Sequence, residues 1–274
     1  MKSLIVVGYG NMAEAILAHN SFLAKTYDIF IAGRNLQKIN SFISAHNLKA
    51  QSLETKCSDE KYVIECDGKN ILLCIKPHAI ENFIFKGKAK CVYSVLAGVS
   101  VDKIREHIDT ICVIRAMPNI AARSKLSATA FYTHSMMLED EFKLLLQNEI
   151  YPFIESFGIA LKVQQEKLIE SSIATSGSGI AFLALVAESL VDAGILEGLT
   201  YAQSIALVRQ CFIGFAKELG HKTPSELKYT ISSPGGTTIR GLNALEQSGV
   251  RGAIINAAHI AAQYAKDCIT HKTK

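Results

Sequence analysis

Short runs of apolar residues, each closed by glycine or a polar residue, recur through the first half of the chain at 4–7, 29–32, 71–75, 91–96 and 111–116. Runs of this length predict strands buried on both faces. Between them lie segments with helical spacing of apolar positions, at 12–23, 36–46 and 101–107. The alternation predicts an α/β fold with a doubly wound parallel sheet. Runs at 127–133 and 159–163 extend that sheet, with 138–157 as the helix joining them.

After about residue 164 the texture changes to Ala-rich helical stretches at 168–193, 200–219, 224–229 and 238–266. Thr200 with Gln203 forms a capping-box pattern, and Thr223, Pro224 and Glu226 supply a cap, an N1 proline and an N3 acid. The expected organisation is therefore a sheet-bearing domain, 1–163, and an all-helical domain, 164–274. Helices this rich in Ala, Ile and Leu cannot all turn a polar face to water, and so short a domain has little interior to hide them. A second subunit is expected to cover them, giving a homodimer that can assemble into a larger homo-oligomer.

The 29 basic and 25 acidic side chains are spread along the chain, with no basic run of the kind that binds nucleic acid. The seven cysteines are widely spaced, without a C-x-x-C pair, so no metal site is expected and most read as small buried hydrophobes in a reducing compartment. Only Lys2 precedes an apolar run that breaks at Gly8, a pattern expected of neither a signal peptide nor a membrane span. A cytoplasmic protein is expected.

Chemistry enters at the end of the first strand. In Val7-Gly8-Tyr9-Gly10-Asn11-Met12-Ala13, Gly8 allows a tight turn, Gly10 leaves room for a pyrophosphate, and Ala13 lets the helix sit close to the strand. The free N–H groups of the helix N-terminus then face the phosphates. The second strand ends at Ala32-Gly33-Arg34-Asn35 without the acidic residue that would hold the ribose of a cofactor lacking a 2′-phosphate. Arg34 offers a cation with several donors instead, so NADPH is expected to be preferred over NADH. The strand ends at Cys74-Ile75-Lys76-Pro77 and Leu96-Ala97-Gly98-Val99 should border the same ligand, with Pro77 fixing the backbone and Gly98 permitting close approach.

In the helical half, Ser233-Pro234-Gly235-Gly236-Thr237-Thr238 makes a loop of exposed backbone N–H groups leading into a helix, a place that favours a carboxylate. Upstream, Thr175-Ser176-Gly177-Ser178-Gly179 interrupts a helical run, as a close approach by a ligand or by a neighbouring helix requires.

Together with Arg115-Ala116-Met117-Pro118-Asn119, these strings resemble the pyrroline-5-carboxylate reductase family, in family order and over nearly the whole chain. The resemblance implies an N-terminal Rossmann domain, a C-terminal helical dimerisation domain, and NAD(P)H-dependent reduction of 1-pyrroline-5-carboxylate to L-proline. By the family's pattern, cofactor contacts fall on Val7, Gly8, Tyr9, Gly10, Asn11, Met12, Arg34, Asn35, Cys74, Ile75, Lys76, Pro77, Leu96, Ala97 and Gly98. Substrate contacts fall on Glu166, Thr237 and Thr238, with amides of the Ser233, Gly235 and Gly236 loop on the substrate carboxylate. Ile180 and Ile120 stand where the family usually has Pro and Thr.

The residues suit imine reduction. Reducing a cyclic imine needs a hydride donor and a protonated ring nitrogen, whereas oxidising an alcohol needs a positioned base. A hydroxy-acid dehydrogenase would want a Lys or His on the first long helix of the second domain, and 168–193 has neither. Thr238 is the expected catalytic residue, hydrogen-bonding the ring nitrogen or relaying its proton, and Glu166 favours the cation electrostatically. A non-catalytic nicotinamide sensor has no evident need for a carboxylate loop.

Overall fold

The computed structural model describes residues 1–58 and 60–270; residues 271–274, the end of the expected helical domain, lie outside the described residues. Eleven strands are present among the described residues: β1 (Lys2–Val7), β2 (Tyr27–Ala32), β3 (Gln51–Ser52), β4 (Lys56–Ser58), β5 (Lys61–Glu65), β6 (Asn70–Leu73), β7 (Phe83–Lys86), β8 (Cys91–Ser94), β9 (Cys112–Met117), β10 (Ser127–Ser135) and β11 (Gly158–Lys162). Eight form one sheet in the order β11-β10-β9-β8-β6-β1-β2-β3. Its pairs are parallel except β9 with β10. A parallel return needs a crossover of about a dozen residues or more. Only residues 118–126 join β9 to β10, so β10 runs back antiparallel where the sequence pattern predicts a parallel extension.

Both faces of the sheet are covered. Leu4 and Val6 of β1 belong to one buried cluster, with Ile16, Ile31 and Phe153; Ile5 and Val7 belong to the other, with Leu73, Val92 and Ile104. A strand whose alternate side chains both meet packed layers reads as a continuous apolar run. That is why β1, β2, β6, β8 and β9 are legible in the sequence.

The expected helix at 12–23 is two helices, α1 (Asn11–Leu17) and α2 (Ser21–Thr26). His19 turns left-handed at φ 56°, and Asn20 caps α2 by accepting from the Leu23 N–H at 3.1 Å. Helices α3 (Leu36–Ala45) and α4 (Val101–His107) lie where the spacing predicts them. The expected helix at 138–157 runs as α5 (Glu139–Leu145), a π turn (Leu146–Ile150) and α6 (Tyr151–Glu155). Pro152 has no N–H, and its ring crowds the carbonyl four residues back, which a widened turn relieves. A second sheet, β4-β5-β7, is not foreseen from the sequence because its strands are three to five residues long and carry Lys or Glu at their ends.

The remaining helices are α7 (Leu168–Ser171), α8 (Gly179–Leu196), α9 (Tyr201–Glu218), α10 (Pro224–Ile231), α11 (Thr237–Gln247) and α12 (Val250–Thr270). The expected helix at 168–193 is broken between α7 and α8 by a 3₁₀ turn, Ser172–Ala174, and the glycine-bearing segment after it. The one at 238–266 is broken at Gly249, φ 71°. The chain forms two compact units: the first is Met1–Gly177 together with the chain from Ala261 onward, and the second is Ser178–Ile260. In the first unit Ala262 and Ala265 pack with Met117, Ala130, Ile169 and Ile173. In the second, α8 and α9 pair, and the Ser204 hydroxyl donates to the Val191 carbonyl at 2.8 Å. A Cβ at Gly194 would lie 2.2 Å from the Ser204 oxygen, so glycine sets how close these helices come.

Candidate functional site

The turn after β1 is built for close backbone approach. Gly8 has φ 113°, its N–H donates to the Ala32 carbonyl at 2.9 Å, and a Cβ there would stand 2.6 Å from the Cys74 carbonyl oxygen. Gly10 begins α1 with no side chain capping it, and the space where its Cβ would be is open. The first N–H groups of that helix are therefore available to an anion. Burial pushes the Cys74 thiol far above its ordinary pKa, so this cysteine serves as packing under the turn.

Beside the turn lies a cleft of about 390 Å³ lined by Gly8, Tyr9, Gly10, Gly33, Arg34, Cys74, Ile75, Lys76 and His78, among others. Arg34 is exposed and makes no hydrogen bond or ion pair among the described residues. Tyr9 lies over Gly33, where a Cβ would meet its ring at 2.5 Å. Lys76 is exposed and stands before the short 3₁₀ helix Pro77–Asn82. The structure thus brings Gly8, Tyr9, Gly10, Arg34, Cys74, Ile75 and Lys76 together.

Others are placed differently. Asn11 is exposed at the start of α1, and Met12 packs against the core. Asn35 caps α3, its Oδ1 accepting from the Lys38 N–H at 2.9 Å. Pro77 and Gly98 line a separate cavity of about 250 Å³ with Ser100, Lys103 and Cys268. The close approach at Gly98 is made by a helix: with φ at 69°, a Cβ there would lie 2.8 Å from the Cys268 Cβ and 3.1 Å from the Ala265 carbonyl oxygen.

The Arg115-to-Asn119 string forms a set of braces. Arg115 is 1% exposed on β9; its Nη1 donates to Glu166 Oε1 at 2.9 Å and to Glu170 Oε2 at 3.4 Å, and its Nη2 donates to Glu170 Oε1. Glu170 is fully buried and also accepts from the Gly98 N–H at 3.4 Å. Glu166 Oε1 accepts from the Val101 N–H, the first of α4, at 2.7 Å, which leaves its Oε2 and a side chain 30% exposed. Removing one partner of such a buried pair typically costs about 3–5 kcal/mol, because a charge is left without compensation. Asn119 accepts from the Ala121 N–H and donates through Nδ2 to the Ser176 carbonyl at 3.1 Å, holding the segment that precedes α8. Sequence reasoning passes over Glu170; the available signal is an acid four residues after Glu166 and next to the apolar Ile169.

In the second unit, Ser233-Pro234-Gly235-Gly236 turns sharply into α11. Gly235 is left-handed at φ 74°, and the Gly236 N–H closes the turn onto the Ser233 carbonyl at 3.1 Å. A Cβ at Gly236 would lie 2.6 Å from the Ser233 Oγ. Gly236 starts α11 without a side-chain cap, and Thr237 and Thr238 stand exposed in its first turn. This loop has the form of an anion cradle. Among the described residues no group of three or more His, Cys, Asp or Glu is arranged to hold a metal ion.

Residues 166–268 match a protein-family model described as pyrroline-5-carboxylate reductase dimerisation. Pyrroline-5-carboxylate reductase of Helicobacter pylori is 42% identical over 261 residues, covering 94% of this chain and 97% of that one. The Synechocystis protein of the same name is 32% identical, covering 93% and 94%. Among solved structures, 1-pyrroline-5-carboxylate reductase from Streptococcus pyogenes superposes with a TM-score of 0.78 at 24% identity, covering 97% and 98%. Plasmodium falciparum pyrroline carboxylate reductase with NADP bound gives 0.74 at 23%, covering 98% of each chain. These last two bear on the fold.

Proposed function

This chain belongs to the pyrroline-5-carboxylate reductase family and reduces 1-pyrroline-5-carboxylate to L-proline with NAD(P)H, the last step of proline biosynthesis; we propose how its residues divide that work. The observation that carries the assignment is the uncapped, glycine-hinged start of α1 opening on a cleft that reaches the unpaired Arg34. The groups present fit a dinucleotide: backbone too close at Gly8 for any side chain, open room at Gly10, and a cleft within the volume range of cofactor sites. The cofactor, when bound, supplies the hydride.

Gly8, Tyr9 and Gly10 hold the pyrophosphate, Arg34 takes the 2′-phosphate of NADPH, and Cys74 to Pro77 with Leu96 to Gly98 border the rest of the cofactor. NADH serves less well because it leaves Arg34 without its anion. On the second unit, the N–H groups following Gly235 hold the substrate carboxylate. Thr238 hydrogen-bonds the ring nitrogen; its hydroxyl is too weakly acidic to act as a general acid at neutral pH, so the imine enters as its cation. Glu166, with Oε2 free, favours that cation. Residues 1–163 form the cofactor domain in this division, and 164–274 the substrate and dimerisation domain.

The helical region assembles subunits, and a homodimer, which can associate further, is the reading we favour. The stretch 168–196 is apolar and long enough to cross a bilayer, yet it contains buried Glu170 paired with Arg115 and falls within the dimerisation match. All seven cysteines are free, in keeping with a cytoplasmic enzyme.

Thr238→Ala tests the assignment in a nicotinamide absorbance assay. Its kcat/KM for pyrroline-5-carboxylate should fall about ten- to a hundredfold, as losing a hydrogen bond to a charged group predicts. An unchanged value removes Thr238 from the site.

A further inference from the structure

We infer that Glu170, held by Arg115, is a positioning residue for hydride transfer, setting the loop between β8 and α4 at the height the nicotinamide requires. The inference rests on the reading above that Leu96 to Gly98 border the cofactor. Four observations lead to it. Glu170 has no exposed surface, and its carboxylate takes the Gly98 N–H. The same Arg115 guanidinium reaches Glu166, which takes the Val101 N–H, so one cation governs both ends of the segment 98–101. The loop's other side is closed by α12, with Ala265 and Cys268 against Gly98. Among the described residues Arg115 Nε is buried with no hydrogen-bond partner, while Nη1 and Nη2 are both engaged by the two carboxylates.

A strut of this kind differs from an ordinary stabilising pair. Arg115 lies on a central strand whose six residues are all buried, so its guanidinium is a fixed reference. Each carboxylate transfers that reference to a backbone N–H, Gly98 in the loop at the carboxyl ends of the strands and Val101 at the start of α4. Hydride transfer falls off steeply with misplacement, about a hundredfold for roughly 1 Å. Moving the loop should therefore act on the chemical step while leaving the grip on the phosphates untouched.

The experiment uses the full-length assembled enzyme and compares Glu170→Leu with Glu170→Gln. Leucine removes the acceptor for Gly98 and leaves Arg115 with Glu166, a neutral pair; glutamine keeps an oxygen for Gly98. Glu170→Leu should lower kcat about ten- to a hundredfold. Its KM for NADPH should stay within about threefold, and the primary isotope effect with 4-deuterated NADPH should rise as hydride transfer becomes limiting. Glu170→Gln should recover most of the loss. A folded Glu170→Leu enzyme with wild-type kcat and isotope effect overturns the inference. If that variant does not fold, Arg115→Lys, which keeps a cation but cannot fork to two carboxylates, takes its place with the same readouts. Hydrogen exchange of the wild-type enzyme tests the underlying reading separately. NADPH should protect the amides of residues 96–98; no protection removes the cofactor contact there, and the inference with it.

Discussion

In the sheet-bearing unit, β1 buries Leu4 and Val6 against one layer and Ile5 and Val7 against the other, all within a single chain. In the helical unit, α8 buries only Val191 of its 18 residues, while Leu183, Leu185 and Leu190 are 48%, 64% and 45% exposed. The two regions are about equally apolar to the eye but close their surfaces by different means. The core of the first is packed from a single chain; the second carries the face of an interface, in line with the dimerisation match over 166–268. Reading a hydrophobic run therefore requires asking which chain supplies the other side.

The comparison can be broken from either end. The largest effect is expected for Ile31→Ala in β2, where the side chain has no exposed surface. A cavity there should cost about 2–5 kcal/mol, seen as a lower denaturation midpoint at every protein concentration. Leu185→Lys on α8 should instead weaken self-association by about a hundredfold in equilibrium sedimentation, and its Tm should depend on protein concentration more steeply than that of the wild type. A wild-type chain that sediments as an active monomer would sink the contrast.

Smaller effects sharpen it. Arg34→Ala should raise the KM for NADPH about tenfold and leave that for NADH nearly unchanged, because only NADPH carries the 2′-phosphate that the guanidinium would meet. Equal losses with both cofactors would remove the 2′-phosphate assignment. Thr200→Ala, which opens the capping box with Gln203 at the start of α9, should cost about 1 kcal/mol in thermal denaturation of the oligomer without altering kcat.

Legibility in the sequence divided local backbone demands from contacts made far along the chain. Val101–His107 was readable to the residue because Ser100 caps it and Arg105 and His107 close it. The turn at Gly8 and Gly10 was readable because glycine there answers a backbone demand visible in the string. Gly98 was readable as a point of close approach, but not the identity of what approaches: Ala265 and Cys268 lie far along the chain, and a string records no such contact. Glu170 was missed for a related reason. A buried acid looks like any surface acid until its partner is known, and Arg115 lies 55 residues away. The antiparallel return of β10 depended on connection length rather than on periodicity.

The tail of α12 has a consequence for how the protein is made. Ala262, Ala265 and Cys268 complete the packing around Met117, Ile173 and Gly98, although the whole of the second unit, residues 178–260, is synthesised before them. The sheet-bearing unit therefore cannot close this part of its surface until the chain through residue 268 has been made. Premature termination or nicking near residue 260 should therefore harm a region that lies far behind it in the chain.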